Sequence, residues 1–244
     1  MFFFALALSV LVGVSLGLLG GGGSILTVPI LLYVVGQEDK VAIATSLLVV
    51  GITSMAAVIS HARQGNVDWR TGLLFAASGA TGAFLGGFGS EAVAGVWLVR
   101  GFIGMMLGTA IAMIRGRRDD APTGQFAAPK VLVTGFVLGA LTGLVGAGGG
   151  FVIVPALVLV GGLPMKRAVG TSLVVISVQT LAGFVGHVTH VSIDVPVAAG
   201  VTLAAVAGSF FGGALAARVP APLLRRAFGV FVLLMATYMV WKQR

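Results

Sequence analysis

The 244 residues contain no cysteine and only seven Asp and Glu. The first absence excludes disulfides, thiolate metal sites and cysteine nucleophiles. Charge of either sign is scarce, 9% of residues, where a soluble domain carries about 25%. Hydrophobic residues make up 58% and the mean hydropathy is +1.10. Such a chain belongs in lipid. Alternating residues and regular turn spacing are also missing, so a β-barrel is excluded, and spans whose peptide groups meet no water must be helical.

Eight apolar runs follow one another: Met1 to Gly36, Val41 to Ser60, Thr71 to Phe88, Val93 to Ile114, Val131 to Gly162, Ala168 to Gly186, Val195 to Ala217 and Leu223 to Trp241. A span takes about 20 residues, so the expected fold is an all-α polytopic membrane protein. The opening "MFFFALALSVL" has neither the basic region nor the small-residue cleavage site of a secretory signal and is read as part of the first helix. The net charge of +8 marks cytoplasmic loops in such a protein, not nucleic-acid binding.

The chain repeats itself without a gap at an offset of 126 residues, Gly13 matching Gly139. "GVSLGLLGGGGSILTVPIL" (Gly13 to Leu31) lies over "GALTGLVGAGGGFVIVPAL" (Gly139 to Leu157). Lys40 meets Lys166, "ATSL" meets "GTSL", His61 meets His187, Asp68 meets Asp194, and "GAFLGG" meets "GSFFGG". Leucines and valines match between any two membrane helices; aligned His, Asp, Pro and Lys do not. The chain thus reads as two homologous membrane repeats, 1–114 and 131–244, joined by a polar cytoplasmic linker, 115–130.

Residues 2 to 36 as one helix would measure about 52 Å at 1.5 Å per residue, far beyond a hydrocarbon core of about 30 Å. If the glycines break it, each half holds five segments, about ten in all, and an odd repeat inverts. Basic residues favour that count. Five segments per half put Arg63, Arg70, Arg115, Arg117, Arg118, Lys130, Lys166, Arg167, Arg218, Arg225 and Arg226 on one side, leaving Lys40, Arg100, Lys242 and Arg244 opposite. Four per half divide them almost evenly. Inverted repeats with both termini outside are therefore expected.

Glycine costs about 1 kcal/mol per helix position relative to alanine, so the run Gly20, Gly21, Gly22, Gly23 needs a purpose. Its repeat is Gly146, Gly148, Gly149 and Gly150. Broken helices between inverted halves present helix N-termini and free backbone groups to a substrate, and N-termini favour anions. Ser24 is placed to cap the first short helix, with Gly150 in that place in the second. Pro29 and Pro155 kink them. The spaced pairs Gly13/Gly17, Gly139/Gly143, Gly82/Gly86 and Gly208/Gly212 have the spacing of close helix crossings.

In the next helix Thr45, Ser46 and Thr53 repeat as Thr171, Ser172 and Gln179. Ser46 and Thr53, like Ser172 and Gln179, are seven apart and share a helix face. No Asp or Glu falls in the middle of an apolar run, which disfavours a cation substrate or a pump and favours a small anion held by peptide dipoles. His61 with Asp68, and His187 with Asp194, lie at helix ends. A histidine there could couple a proton or gate; equally, each could cap a helix or order its loop. "GVSLG" is no nucleophile elbow, because no strand precedes it and its repeat is "GALTG". "GLLGGGG" lacks the strand and downstream acid of a dinucleotide loop. No catalytic residue, metal set or cofactor is expected.

The doubled "GxGGG…VP" segment, the "TSL" opening of the next helix and "HARQGNVDW" (His61 to Trp69) together resemble the TauE/SafE family of sulfite and organosulfonate exporters. The resemblance covers nearly the whole chain. It implies export of a sulfur oxyanion or sulfonate across a bacterial inner membrane. The halves differ: Ala147 stands opposite Gly21, Gly150 opposite Ser24, and "HVTHVSID" lacks the Gly65-Asn66 turn. The expected function is a secondary transporter of a small anion by alternating access. Thiosulfate, a carboxylate, or anion binding without transport are the alternatives.

Overall fold

A computed structural model describes residues 2–115, 128–145, 149–188 and 191–242. Among these residues the chain is helical and has no strand. The helices are α1 (Phe2–Leu19), α2 (Gly22–Ile30), α3 (Asp39–Arg63), α4 (Trp69–Gly89), α5 (Gly95–Arg115), α6 (Ala128–Val145), α7 (Gly150–Leu159), α8 (Met165–Val188), α9 (Val195–Ala216) and α10 (Ala221–Lys242). Five (α3, α4, α8, α9 and α10) are long and apolar enough to cross a membrane; the other five carry shorter apolar stretches. The first and fifth apolar runs are each divided at their glycines. The linker's residues 116–127 lie outside the described ones.

The long helices α3 and α8 form the centre. Of their most apolar stretches 67% and 72% are buried, against 39%, 39% and 35% for α4, α9 and α10. Outer faces carry large exposed apolar side chains, among them Leu203, Phe211, Val133 and Leu234. That is the surface of a chain whose solvent is lipid. Trp69, Trp97 and Trp241 are exposed near helix ends, the place amphipathic rings take at a membrane interface, and the Arg100 guanidinium sits 5.0 Å from the Trp97 ring centre.

Helix directions follow from which residues meet. A methyl group added at Gly13 would strike Ala205 and Ser209, and one at Gly17 would strike Ser209 and Gly213. Contacts advance together along both chains, so α1 and α9 run parallel. In the same way Gly82 and Gly86 of α4 advance along Phe136, Ala140 and Leu144 of α6. In each pair small residues let the two backbones touch. Gly72, Gly79 and Gly87 of α4 advance along Thr171, Gln179 and His187 of α8, again parallel. Between α3 and α8 the order reverses: Gly51 meets Thr180 and Leu181, while Leu47 meets Gly183. These two helices are antiparallel.

Equivalent contacts recur. Lys40 Nζ donates to the Glu91 carbonyl at 3.1 Å and Lys166 Nζ to the Ala217 carbonyl at 3.2 Å, each spanning 51 residues and each 126 from its mate. Away from the centre, the largest apolar cluster joins α2, α5, α7 and α10 and includes an edge-to-face pair, Phe102 on Phe151, with ring centres 5.6 Å apart.

Candidate functional site

The glycine breaks are sharp and they meet. Gly20 has φ of +75°, a left-handed conformation open to glycine at little cost. Its N–H donates to the Leu16 carbonyl at 2.8 Å, ending α1, and α2 starts at Gly22. Gly149, with φ of +61°, makes the corresponding turn before α7. Gly21 rests against the backbone of Gly150 and Phe151, so the starts of the two short helices lie together. Glycine occupies both N-cap positions, Gly21 and Gly149. No side chain there accepts a first-turn N–H group; at α7 the Val152 amide turns back to the Gly149 carbonyl at 3.0 Å, and the amides before it are the ones a helix start directs outward.

Ser24 does not cap α2. Its buried hydroxyl donates to the Gly21 carbonyl at 2.7 Å, because α2 begins three residues earlier than a serine cap requires. Nor are the left-handed positions equivalent, since the repeat mate of Gly20 is Gly146 and that of Gly149 is Gly23. Gly23 lies against Val12 and Leu16, folding α2 back on α1. Pro29 stands inside α2 and Pro155 inside α7. Only the first half continues into a π-helical turn, Leu31–Val35, closed by Gly36 at φ +79°. Gly146 and Gly148 lie outside the described residues.

Ser172 reaches the first break. A Cβ on Gly20 would stand 2.7 Å from its hydroxyl oxygen and 2.9 Å from the Val169 carbonyl. Ser172 and Ser46 donate to Val169 and Ile43 carbonyls, both at 2.7 Å. Thr171 accepts the Asp68 backbone N–H at 2.8 Å, tying the α3–α4 connection to the other half. Two turns beyond Ser172, Gln179 is 2% exposed and its Nε2 lies 3.4 Å from the Phe75 carbonyl. Gln179 Oε1, Thr45 Oγ1, Thr53 Oγ1 and Ser54 Oγ are buried with no hydrogen-bond partner among the described residues. Ser54 and its mate Thr180 escape a reading by composition. The repeat register would have found them.

The two acidic residues are caps. Asp68 Oδ1 accepts from Thr71 N–H at 2.9 Å at the start of α4, and Asp194 Oδ1 from Val197 N–H at 3.1 Å at the start of α9. Asp68→Ala should cost about 1 kcal/mol, lowering Tm by roughly 2–4 °C for a chain of this size, whereas Asp68→Asn should lie within 1–2 °C of the wild type by the same scale. A thermal melt checks both. The histidines differ in their bonds: His187 Nδ1 faces the Gly183 carbonyl of its own helix at 3.1 Å, while His61 Nε2 reaches Gly17 of α1 at 2.7 Å. No cluster of three or more metal-binding side chains occurs among the described residues.

Among the described residues the two short helices meet inside the bundle and carry no carboxylate. A family model described as "Sulfite exporter TauE/SafE" matches residues 5–239. The chain belongs to the TauE/SafE family. It is 37% identical over 240 residues to a "Probable membrane transporter protein" of Xylella fastidiosa (strain 9a5c), covering 95% of this chain and 92% of the relative. It is 30% identical over 244 residues to "Probable membrane transporter protein YunE" of Bacillus subtilis (strain 168), covering 89% and 88%. A similarly named protein of Haemophilus influenzae is 25% identical over 262 residues, 97% of both chains. No solved structure matches. The chain is thus a multi-pass TauE/SafE membrane transporter, a class consistent with the absence of a catalytic set from its sequence.

Proposed function

We propose that this TauE/SafE chain is a secondary transporter that exports a small anion, sulfite or an organosulfonate, by alternating access of two inverted halves in a bacterial inner membrane. The observation that carries the reading is the contact of Gly21 with Gly150, which joins two uncapped helix starts, one from each half. First-turn amides at two such starts suit the oxygens of a sulfite or sulfonate group. Ser172 lies against the Gly20 break; in this reading its neighbour Thr171 and their repeat mates Ser46 and Thr45 add polar groups along α8 and α3, and Gln179 extends the polar face of α8.

Inversion is supported by helix direction. Were each half four spans, α3 and α8 would point the same way and α4 against α8; their contacts run the other way in both cases. The bond from Asp68 N–H to Thr171 also requires the end of α3 and the start of α8 to share a membrane face, which five segments per half provide. The basic side, with Arg63, Arg70, Lys166 and Arg167, is then cytoplasmic.

The test is thermal stability of the purified protein against sulfite, thiosulfate, sulfoacetate, sulfate and acetate, followed by flux in vesicles. A ligand at 100 times its Kd adds about 2.7 kcal/mol, which should raise Tm by roughly 5–10 °C. A selective rise with a sulfur anion, accompanied by saturable flux, supports the reading. A rise with acetate alone moves the substrate to carboxylates; saturable binding without flux leaves a receptor, and export fails.

A further inference from the structure

His61 is buried, 1% exposed, near the end of α3. Its Nε2 lies 2.7 Å from the Gly17 carbonyl, and a carbonyl only accepts, so Nε2 carries the hydrogen and Nδ1 is a bare lone pair. That second nitrogen is buried with no hydrogen-bond partner among the described residues. Gly17 belongs to the last turn of α1, where carbonyls have no helical amide ahead of them. The amides of Gly20 and Gly21 go to Leu16 and Leu19 instead. The imidazole supplies the donor Gly17 lacks, three residues before Gly20, about 4.5 Å along the axis. It closes the helix end that the glycine break leaves open.

A glutamine amide would serve as well for that bond. What imidazole adds is Nδ1, a base. The elements around the ring are α1 through Gly17, α9 through Gly213, the start of α8 through Gly170, and the α3–α4 connection through Asn66. Neither α1 nor α9 carries an ionisable side chain. In α8 they are Lys166 and Arg167 in the first turn and His187 at the far end; in α3 itself, Asp39, Lys40 and Arg63. The connection and the start of α4 add Asp68 and Arg70, and Asp68 Oδ1 already accepts the Thr71 amide. Asp68 keeps its carboxylate charge throughout; the negative charge that comes and goes, in the transport reading, is that of an anion at the Gly20–Gly21 break.

We propose that His61 binds a proton together with the anion, so that the two cross the membrane together. The inference rests on the transport reading above, and export by this route needs an outward anion gradient steeper than the opposing pH gradient. The proton passes from water on one side to Nδ1 and leaves from Nδ1 to the other, with Nε2–H held on Gly17 throughout, and no bond of the anion changes. Linkage makes the effect reciprocal: bound anion raises the ring's affinity for a proton, and bound proton raises affinity for the anion by the same factor.

The experiment uses the full chain in proteoliposomes with ethanesulfonate, whose sulfonate stays ionised across the working range, so that any proton moved is carried by protein. With the potential clamped at zero and the lumen one pH unit more alkaline, cotransport of one proton per anion accumulates ethanesulfonate about tenfold, because one pH unit and a tenfold concentration ratio are the same free energy. His61→Gln keeps a donor for Gly17 and cannot take the proton. Its accumulation ratio should fall to about one, and its exchange at equal pH should lose the pH dependence shown by the wild type. An internal pH dye should report acidification when the anion enters the wild type and none when it enters His61→Gln. Accumulation by His61→Gln equal to wild type, or exchange by wild type without gradient-driven accumulation, overturns the proposal. Absence of ethanesulfonate exchange in the wild type is a different failure: it brings down the organosulfonate reading on which this inference rests.

Discussion

Gly21→Leu is expected to lower anion flux by about 100-fold or more while leaving a folded, monodisperse protein. A Cβ at this position lands on the Gly150 carbonyl, and backbone, unlike a side chain, has no rotamer by which to step aside. The four-carbon side chain must therefore push the two helix starts apart. Overpacking of this kind costs about 1–3 kcal/mol, which ten helices tolerate as a loss of some degrees in Tm. Binding tolerates it far less, because amides converging on one anion lose their common focus when moved by an ångström. Gly104→Leu is the control, since a Cβ there meets nothing within 4 Å, and its flux should stay within about twofold of wild type. Flux in Gly21→Leu as high as in Gly104→Leu would remove the glycine junction from the transport path.

The parts of this architecture that were legible in the sequence are those that depend on spacing within one segment. Gly13/Gly17 and Gly82/Gly86 read as close crossings because two residues one turn apart define a flat strip, and the structure puts backbone against each strip. The breaks were legible because a run of four glycines removes the reason to stay helical. Partners were not. A strip of glycines shows a surface and not what covers it, and that α1 lies on α9 from the other half is fixed by long-range packing. The bond from His61 to Gly17 joins positions 44 residues apart, and neither residue signals the other. The misplaced cap at Ser24 has a more local cause. Helix starts are chosen among neighbouring glycines of nearly equal propensity, so the contact of Gly21 with Gly150 decides the first turn and leaves Ser24 inside the helix, where its hydroxyl bonds back to a carbonyl.

Gln179→Met should make the protein more stable and a poorer transporter. The side chain is buried against Gly79 of α4, a position where only glycine leaves room for it. Its Nε2 contact with the Phe75 carbonyl is long at 3.4 Å, and its Oε1 is buried without a partner among the described residues. An unsatisfied buried carbonyl costs about 1–3 kcal/mol. Methionine has nearly the same length and no such group, so Tm should rise by roughly 3–6 °C. If the amide exists only to fill space, nothing else should change. If it faces the anion on its way past α8, flux should fall about tenfold or more, the cost of losing one charge-assisted hydrogen bond. Gln179→Glu sharpens the contrast, because it keeps the shape and puts a carboxylate in the path of an anion, and its flux should fall below that of methionine. The mate of Gln179 in the first half is Thr53, also buried with an oxygen that has no partner among the described residues, so Thr53→Val should repeat the pattern on a smaller scale. A stabilised Gln179→Met protein with unaltered flux would assign the α8 polar face to packing, and the path would then have to run along the breaks alone.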